Sequence, residues 1–174
     1  MPELAAIVPQ FFPESWRQEF NLVGVNFAPG VCVGFALRGD GGYSFISEAE
    51  RAVTALTTAE LLSRAFANLA ELKDGVELHV AHPQDAVVVW IESKDNFAAV
   101  RMLLPSVKSK LISMLGNTFL FTIPSRDLCL FWTMDAPAPL TTKHAREAME
   151  AFESEQYNLT GRVLVFSNQL YDGA

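Results

Sequence analysis

The chain has 174 residues, half of them apolar and 19% charged, and its twenty acidic against thirteen basic side chains leave a net charge of −7. That composition excludes a disordered polar chain, and the length suits one domain burying roughly 70% of the surface its unfolded form exposes. Bases and acids number four and eight over residues 1–72, six and six over 73–127, and three and six over 128–174. No segment therefore offers the clustered Lys and Arg that binding nucleic acid or an anionic membrane surface requires.

The N-terminus, MPELAAIVPQFFPESW, lacks the basic start and long apolar run of a secretory signal, and no stretch approaches the ~20 apolar residues of a membrane span. A cytoplasmic protein is the expectation. Cys32 and Cys129, each inside an apolar run, then read as reduced core thiols.

Residues 1–21 form a Pro-punctuated lead-in, with Phe11, Phe12, Trp16 and Phe20 as an apolar stripe on a short helix begun near Pro13. Residues 22–27 and 31–37 flank Ala28-Pro29-Gly30 and predict a β-hairpin. Gly39-Asp40-Gly41-Gly42 reads as a second turn before a strand at 43–46; it lacks the phosphate-loop pattern and precedes no helix. A helix over 58–72 opens on the capping box Thr57–Glu60, with Leu62, Ala65, Phe66, Leu69 and Leu72 along one face and Gly75 as its stop.

Strands follow at 76–80 and 86–92, the β-branched run Val87-Val88-Val89 marking a central one. After the polar break at 93–96 and an apolar run over 97–104, a helix runs from Pro105 to Gly116, with Val107, Leu111 and Met114/Leu115 inward. Two more strands, 119–123 and 128–133, bracket Pro124-Ser125-Arg126-Asp127. A helix over 142–153, with Ala145, Met149 and Phe152 inward and His144 exposed in its first turn, precedes a last strand at 162–166. Strands thus come in adjacent groups separated by single helices. The expectation is a single α+β domain, a largely antiparallel sheet with about three main helices packed on it.

Chemistry-bearing candidates are few. His79 and His82 stand three apart, the spacing of metal ligands on a helix, but the local pattern is a strand running into a His-Pro turn, where that spacing points to opposite faces. They are weak candidates, and no metal or cofactor is expected. No catalytic set can be assigned: there is no nucleophile elbow, and neither Cys has a cationic neighbourhood. Ser125-Arg126-Asp127 is the sharpest feature, because a turn explains Pro and Ser but does not need Arg followed at once by Asp. Arg126 can clamp an anion or carboxylate with Asp127 as its orienter or a base. Equally, Ser125 and Asp127 can bond turn amides while Arg126 pairs elsewhere in the fold.

The blocks Leu56-Thr57-x-x-Glu60-Leu61 with Ala65 and Asn68-Leu69, then Asn96-Phe97-x-Ala99, then Ile123-Pro124-Ser125-Arg126-Asp127-x-x-Leu130 resemble the YtpQ-like bacterial family of unknown function over roughly residues 56–131. The resemblance implies a cytosolic bacterial α+β protein and singles out Asn68, Asn96, Arg126 and Asp127 as the polar members of the matched blocks, a set that could form one polar cluster serving either as a ligand pocket or as a buried fold-specifying network. The functional expectation is a non-enzymatic module that binds a protein partner or a second copy of itself, with apolar surface left exposed. The alternative is a small-molecule-binding protein or hydrolase that uses the Arg126/Asp127 turn.

Overall fold

A computed structural model describes residues 6–39, 42–72, 77–93 and 95–167. The fold is α+β, with two antiparallel sheets. The described residues fall into two compact units, one up to residue 72 and one from residue 77 onward. The Gly-rich turn at 40–41 and the helix stop at Gly75 lie outside the described residues.

In the first unit, β3 (Val31–Gly39) is the central strand. It pairs along one side with β1 (Ile7–Pro13), and along the other with β2 (Gly24–Ala28) and then β4 (Gly42–Phe45), all antiparallel. The predicted hairpin is present as β2–β3. The lead-in is instead a strand: Phe11 and Phe12 lie on β1, fully buried, and not on a helical stripe. A strand carrying Pro9 and Pro13 is tolerated because β1 is at the sheet edge, where missing N–H groups break no ladder. Helix α1 (Glu14–Glu19) follows at once and sets Trp16 and Phe20 four apart on one side.

Helix α2 (Glu48–Thr54) was not predicted, and it buries none of its residues. Helix α3 (Thr58–Glu71) carries the expected Thr57–Glu60 capping box. Its buried positions are Leu61, Ala65 and Leu69, a strict i, i+4, i+8 row rotated from the predicted face. Leu61 and Ala65 pack with Ile7, Val23, Phe35 and Ile46. On the other side of the sheet Phe12, Leu22 and Cys32 form a second cluster with Trp16 and Phe45 against it.

The second unit is a five-stranded sheet, β5 (Glu77–Ala81), β6 (Val88–Glu92), β8 (Leu128–Thr133), β7 (Thr118–Ser125) and β9 (Leu164–Ser167) in spatial order. Alternation along the strands divides its side chains between two covered faces. On one, Phe119 stacks on Phe166 at 4.4 Å and meets Phe131 edge-on. This face takes the 3₁₀ turn Ala99–Leu103, whose Met102 sulfur lies 3.9 Å from Cys129 Sγ, and helix α4 (Pro105–Leu115). Each fully buried Phe contributes about 1.5–3 kcal/mol. On the opposite face Val88 and Trp132 pack with Leu140 of α5 (Ala138–Ser154).

The inward row of α5 is Leu140, His144 and Ala148. The expected row of Ala145, Met149 and Phe152 lies one residue off; Met149 is exposed, and His144, read as exposed, is buried. The helix starts four residues earlier than expected, with Pro137 as its N-cap, so Leu140 fixes the rotation. Both cysteines are buried and unbridged. Among the described residues no helix is long and apolar enough to cross a membrane.

Candidate functional site

The β7–β8 hairpin turns through Arg126 and Asp127, with Ser125 opposite Leu128. Two-residue hairpin loops ordinarily need positive φ, which matches the right-handed twist of the strands. Neither residue is among the positive-φ positions. The ladder instead slips between Thr122 and Ser125, and such a bulge supplies the twist. Pro124 has no N–H to give. The freed carbonyls of Ile123 and Pro124 accept from Thr160 N–H at 3.3 Å and Leu159 N–H at 2.8 Å, while Arg126 N–H donates to the Tyr157 carbonyl at 3.3 Å. Segment 157–160 is thereby fastened along the hairpin. Ser125 acts locally, its hydroxyl accepting from Asp127 N–H at 3.3 Å.

Arg126 is 5% exposed. Its guanidinium carbon lies 3.5 Å from the centroid of the Tyr157 ring, a cation–π contact with the ring on the solvent side. Burial pulls its pKa down, opposed by Tyr157 and the charge of Asp127. Asp127 shows the converse: burial pushes its carboxyl up, Arg126 pulls it back, and Glu155 and Asp95 add to the rise. Its Oδ1 is buried without a hydrogen-bond partner.

A folded pKa above the unfolded one means that the native state holds the proton more tightly. Stability associated with Asp127 is therefore present at low pH and lost as pH rises through the folded pKa. Asp127→Asn removes that loss. Its melting temperature should exceed wild type at neutral pH, with the gap closing on acidification to the ordinary carboxylate range. Solvent screening of this half-buried group keeps the gain small, below about 1 kcal/mol. A pH series of thermal melts on both proteins checks it.

Beside the turn sits a pair the sequence reading missed. The Arg126 carbonyl accepts from Ala99 N–H at 3.0 Å and so ties the 95–101 stretch to the hairpin tip. There Arg101, 1% exposed, forms a bidentate ion pair with Asp95, one arm measuring 2.6 Å. Asp95 also accepts from Ser93 Oγ at 2.5 Å and from Phe97 N–H at 3.1 Å. Burial pushes its carboxyl up, but the bonds from Arg101 and Ser93 and the Arg101 charge outweigh that and hold it below the usual range. The available signal was one Arg inside the otherwise apolar run Phe97-Ala98-Ala99-Val100-Arg101-Met102-Leu103-Leu104, six residues after an Asp.

Asn96 falls in the same stretch, with φ +64°, a left-handed conformation that Asn adopts more readily than most side chains. Asn68 belongs to the first unit, where its amide donates to the Ile7 carbonyl at 2.7 Å and ties α3 to β1. Ser125, Arg126, Asp127 and Asn96 thus share one end of the second unit, with Asp95 and Arg101. His79 stacks on Trp90 at 5.1 Å in the middle of β5, and His82 lies exposed beyond the strand end. Among the described residues no group of three or more His, Cys, Asp or Glu side chains converges as a metal site would require.

The other feature with binding character is a file of aromatic rings on the first unit. Tyr43 meets Phe45 at 5.7 Å, Phe45 meets Trp16 at 6.2 Å and Trp16 meets Phe20 at 6.0 Å, each edge to face. Phe12 supports Phe45 from below at 5.2 Å, and buried Gln10 donates to the Tyr43 hydroxyl at 3.3 Å. Tyr43, Phe45 and Trp16 are half-buried and Phe20 is 53% exposed. A shallow depression lined by Leu37, Arg38, Tyr43 and Ser44 adjoins the Tyr43 end. Comparison with protein-family models, curated proteins and solved structures finds nothing that matches this chain.

Proposed function

We propose that the chain is a non-enzymatic interaction module of the bacterial cytosol, related to the YtpQ-like proteins, that binds a protein partner through the Tyr43–Phe45–Trp16–Phe20 file. The observation that carries this reading is the file itself: rings held in fixed geometry from beneath, yet open at Phe20. Aromatic side chains so presented lose little entropy on binding and dominate interface energetics. The hydrolase alternative needs Arg126 at the wall of a pocket. Its burial under Tyr157 supports instead a clasp that holds segment 157–160 in place.

The test uses wild type, Phe20→Ser and Arg126→Ala on a partner captured from bacterial lysate, identified and purified. Phe20→Ser should bind it at least about tenfold more weakly while melting like wild type. Arg126→Ala should lose about 2 kcal/mol of stability, from the lost ring contact and the cavity, yet bind normally at temperatures where it is folded. If Phe20→Ser binds as wild type and folded Arg126→Ala does not, the file is not the surface and the turn is. A wild type that sediments as a dimer, with Phe20→Ser monomeric, identifies the partner as a second copy.

A further inference from the structure

Among the described residues, three polar atoms lie buried without a hydrogen-bond partner on the sheet face that α5 covers: Thr122 Oγ1, Trp132 Nε1 and His144 Nε2. Register places the first two together. Leu120 pairs with Trp132 and Thr122 with Leu130, so Thr122 and Trp132 are diagonal neighbours on adjacent strands, with side chains on the same face. From the helix, His144 sets its ring against Trp132, with centroids 5.5 Å apart and planes tilted by 46°. Thr122 and Trp132 are fully buried and His144 is 7% exposed. Leu140 and Ala148, one turn to either side of His144, are buried as well.

The chemistry of the three atoms is complementary. His144 Nδ1 lies 2.9 Å from Glu147 Oε2. A carboxylate oxygen accepts, so Nδ1 carries the proton, and in that tautomer Nε2 presents a lone pair. The Trp132 indole N–H can only donate, and the Thr122 hydroxyl does either. Native interiors satisfy the large majority of such groups. Here a donor, an acceptor and a hydroxyl occur on a single buried face, two of them on rings in contact.

We infer that the layer between α5 and the β7–β8 face is an internal binding site for one small hydroxyl-bearing molecule, filled by water, which accepts from Trp132 Nε1–H and donates to His144 Nε2. Thr122 supplies a third hydrogen bond, giving the occupant the roughly three partners typical of buried water. The donor set discriminates between ligand classes. An anion has no proton for the His144 lone pair. A metal ion would find one nitrogen ligand and an indole N–H that repels it. An apolar molecule would leave all three groups bare. A group that both accepts and donates answers both rings; O–H is the simplest such group, and water and a small alcohol share that chemistry. The site has a structural consequence: α5 is anchored to the sheet by directed bonds as well as by Leu140, which fixes its rotation.

Two measurements test this. A crystal structure of the full chain, at a resolution that places waters, should show density about 2.7–3.2 Å from both Trp132 Nε1 and His144 Nε2. A single spherical peak identifies water, and elongated density with a matching mass increment in native mass spectrometry identifies a small alcohol. Direct protein partners for both atoms, or no density between them, overturns the inference. Independently, Trp132→Phe and His144→Phe should each lower the melting temperature by about 3–8 °C, with the double variant losing clearly less than the sum, because one shared molecule serves both. Losses that add within error overturn a shared occupant. Should either variant fail to fold, the wild-type density alone decides.

Discussion

Asp95→Ala should destabilise the protein by about 3–5 kcal/mol, the cost of breaking a buried ion pair by removing one member. Arg101 is 1% exposed, and its guanidinium meets Asp95 through two bonds. Removing the carboxylate takes both of those bonds from the buried guanidinium and also releases Ser93 Oγ and Phe97 N–H. Arg101→Met should be damaging too, but less so, because Asp95 keeps those two donors and can take up a proton. The double variant Asp95→Ala/Arg101→Met should recover much of the Asp95→Ala loss, since removing both charges leaves no unpaired ion. Acidification gives a second readout. The folded pKa of Asp95 is held below the unfolded value, so its contribution is complete above the ordinary carboxylate range. It is lost as pH falls below that range and through the folded pKa. Denaturant titrations of the variants at neutral pH, with a wild-type pH series, measure both. A loss below 1 kcal/mol for Asp95→Ala would show that the pair is solvated in the native protein.

That pair illustrates where local sequence stops informing. The second unit's hairpins, α3 with its capping box and α4 were all legible, because turn residues, caps and periodicity act within a few positions. The β7–β8 turn was legible as a turn, but the Arg126 clasp was not, since Tyr157 arrives from 31 positions away. The strand β1 was hidden by its own prolines, which suggested punctuation and in fact mark an edge. Helix α2 carries a capping box at Ser47 and Glu50 that could have been read, but it buries no residue and so shows no apolar period. In α5 a start placed four residues late rotated the predicted face and sent His144 outward. The observed helix turns it onto Trp132 instead.

Gly34→Ala should be the most disruptive single-methyl change in the first unit. Gly34 and Gly24 face each other across β3 and β2, and the Phe12 ring lies over both. A Cβ at Gly34 would approach the Val23 carbonyl to 2.6 Å and the Phe12 ring edge more closely still. The ring cannot swing freely, because Phe12 is fully buried and holds Phe45 edge-on. The carbonyl cannot retreat without shifting the Val23 backbone, whose N–H donates to the Ile46 carbonyl at 3.0 Å. Overpacking of this kind costs about 1–3 kcal/mol, and the backbone clash places Gly34→Ala at the upper end. Gly39→Ala is the internal control, since a Cβ there meets nothing within 4 Å among the described residues, and it should melt within experimental error of wild type. Adding Phe12→Leu to Gly34→Ala separates the two clashes. Partial recovery assigns the remainder to the Val23 carbonyl, and none at all shows that the backbone contact dominates. Because Phe12 supports the aromatic file from beneath, Gly34→Ala should also weaken partner binding without touching the exposed Phe20. That links the glycine trough in the sheet to the proposed binding surface above it.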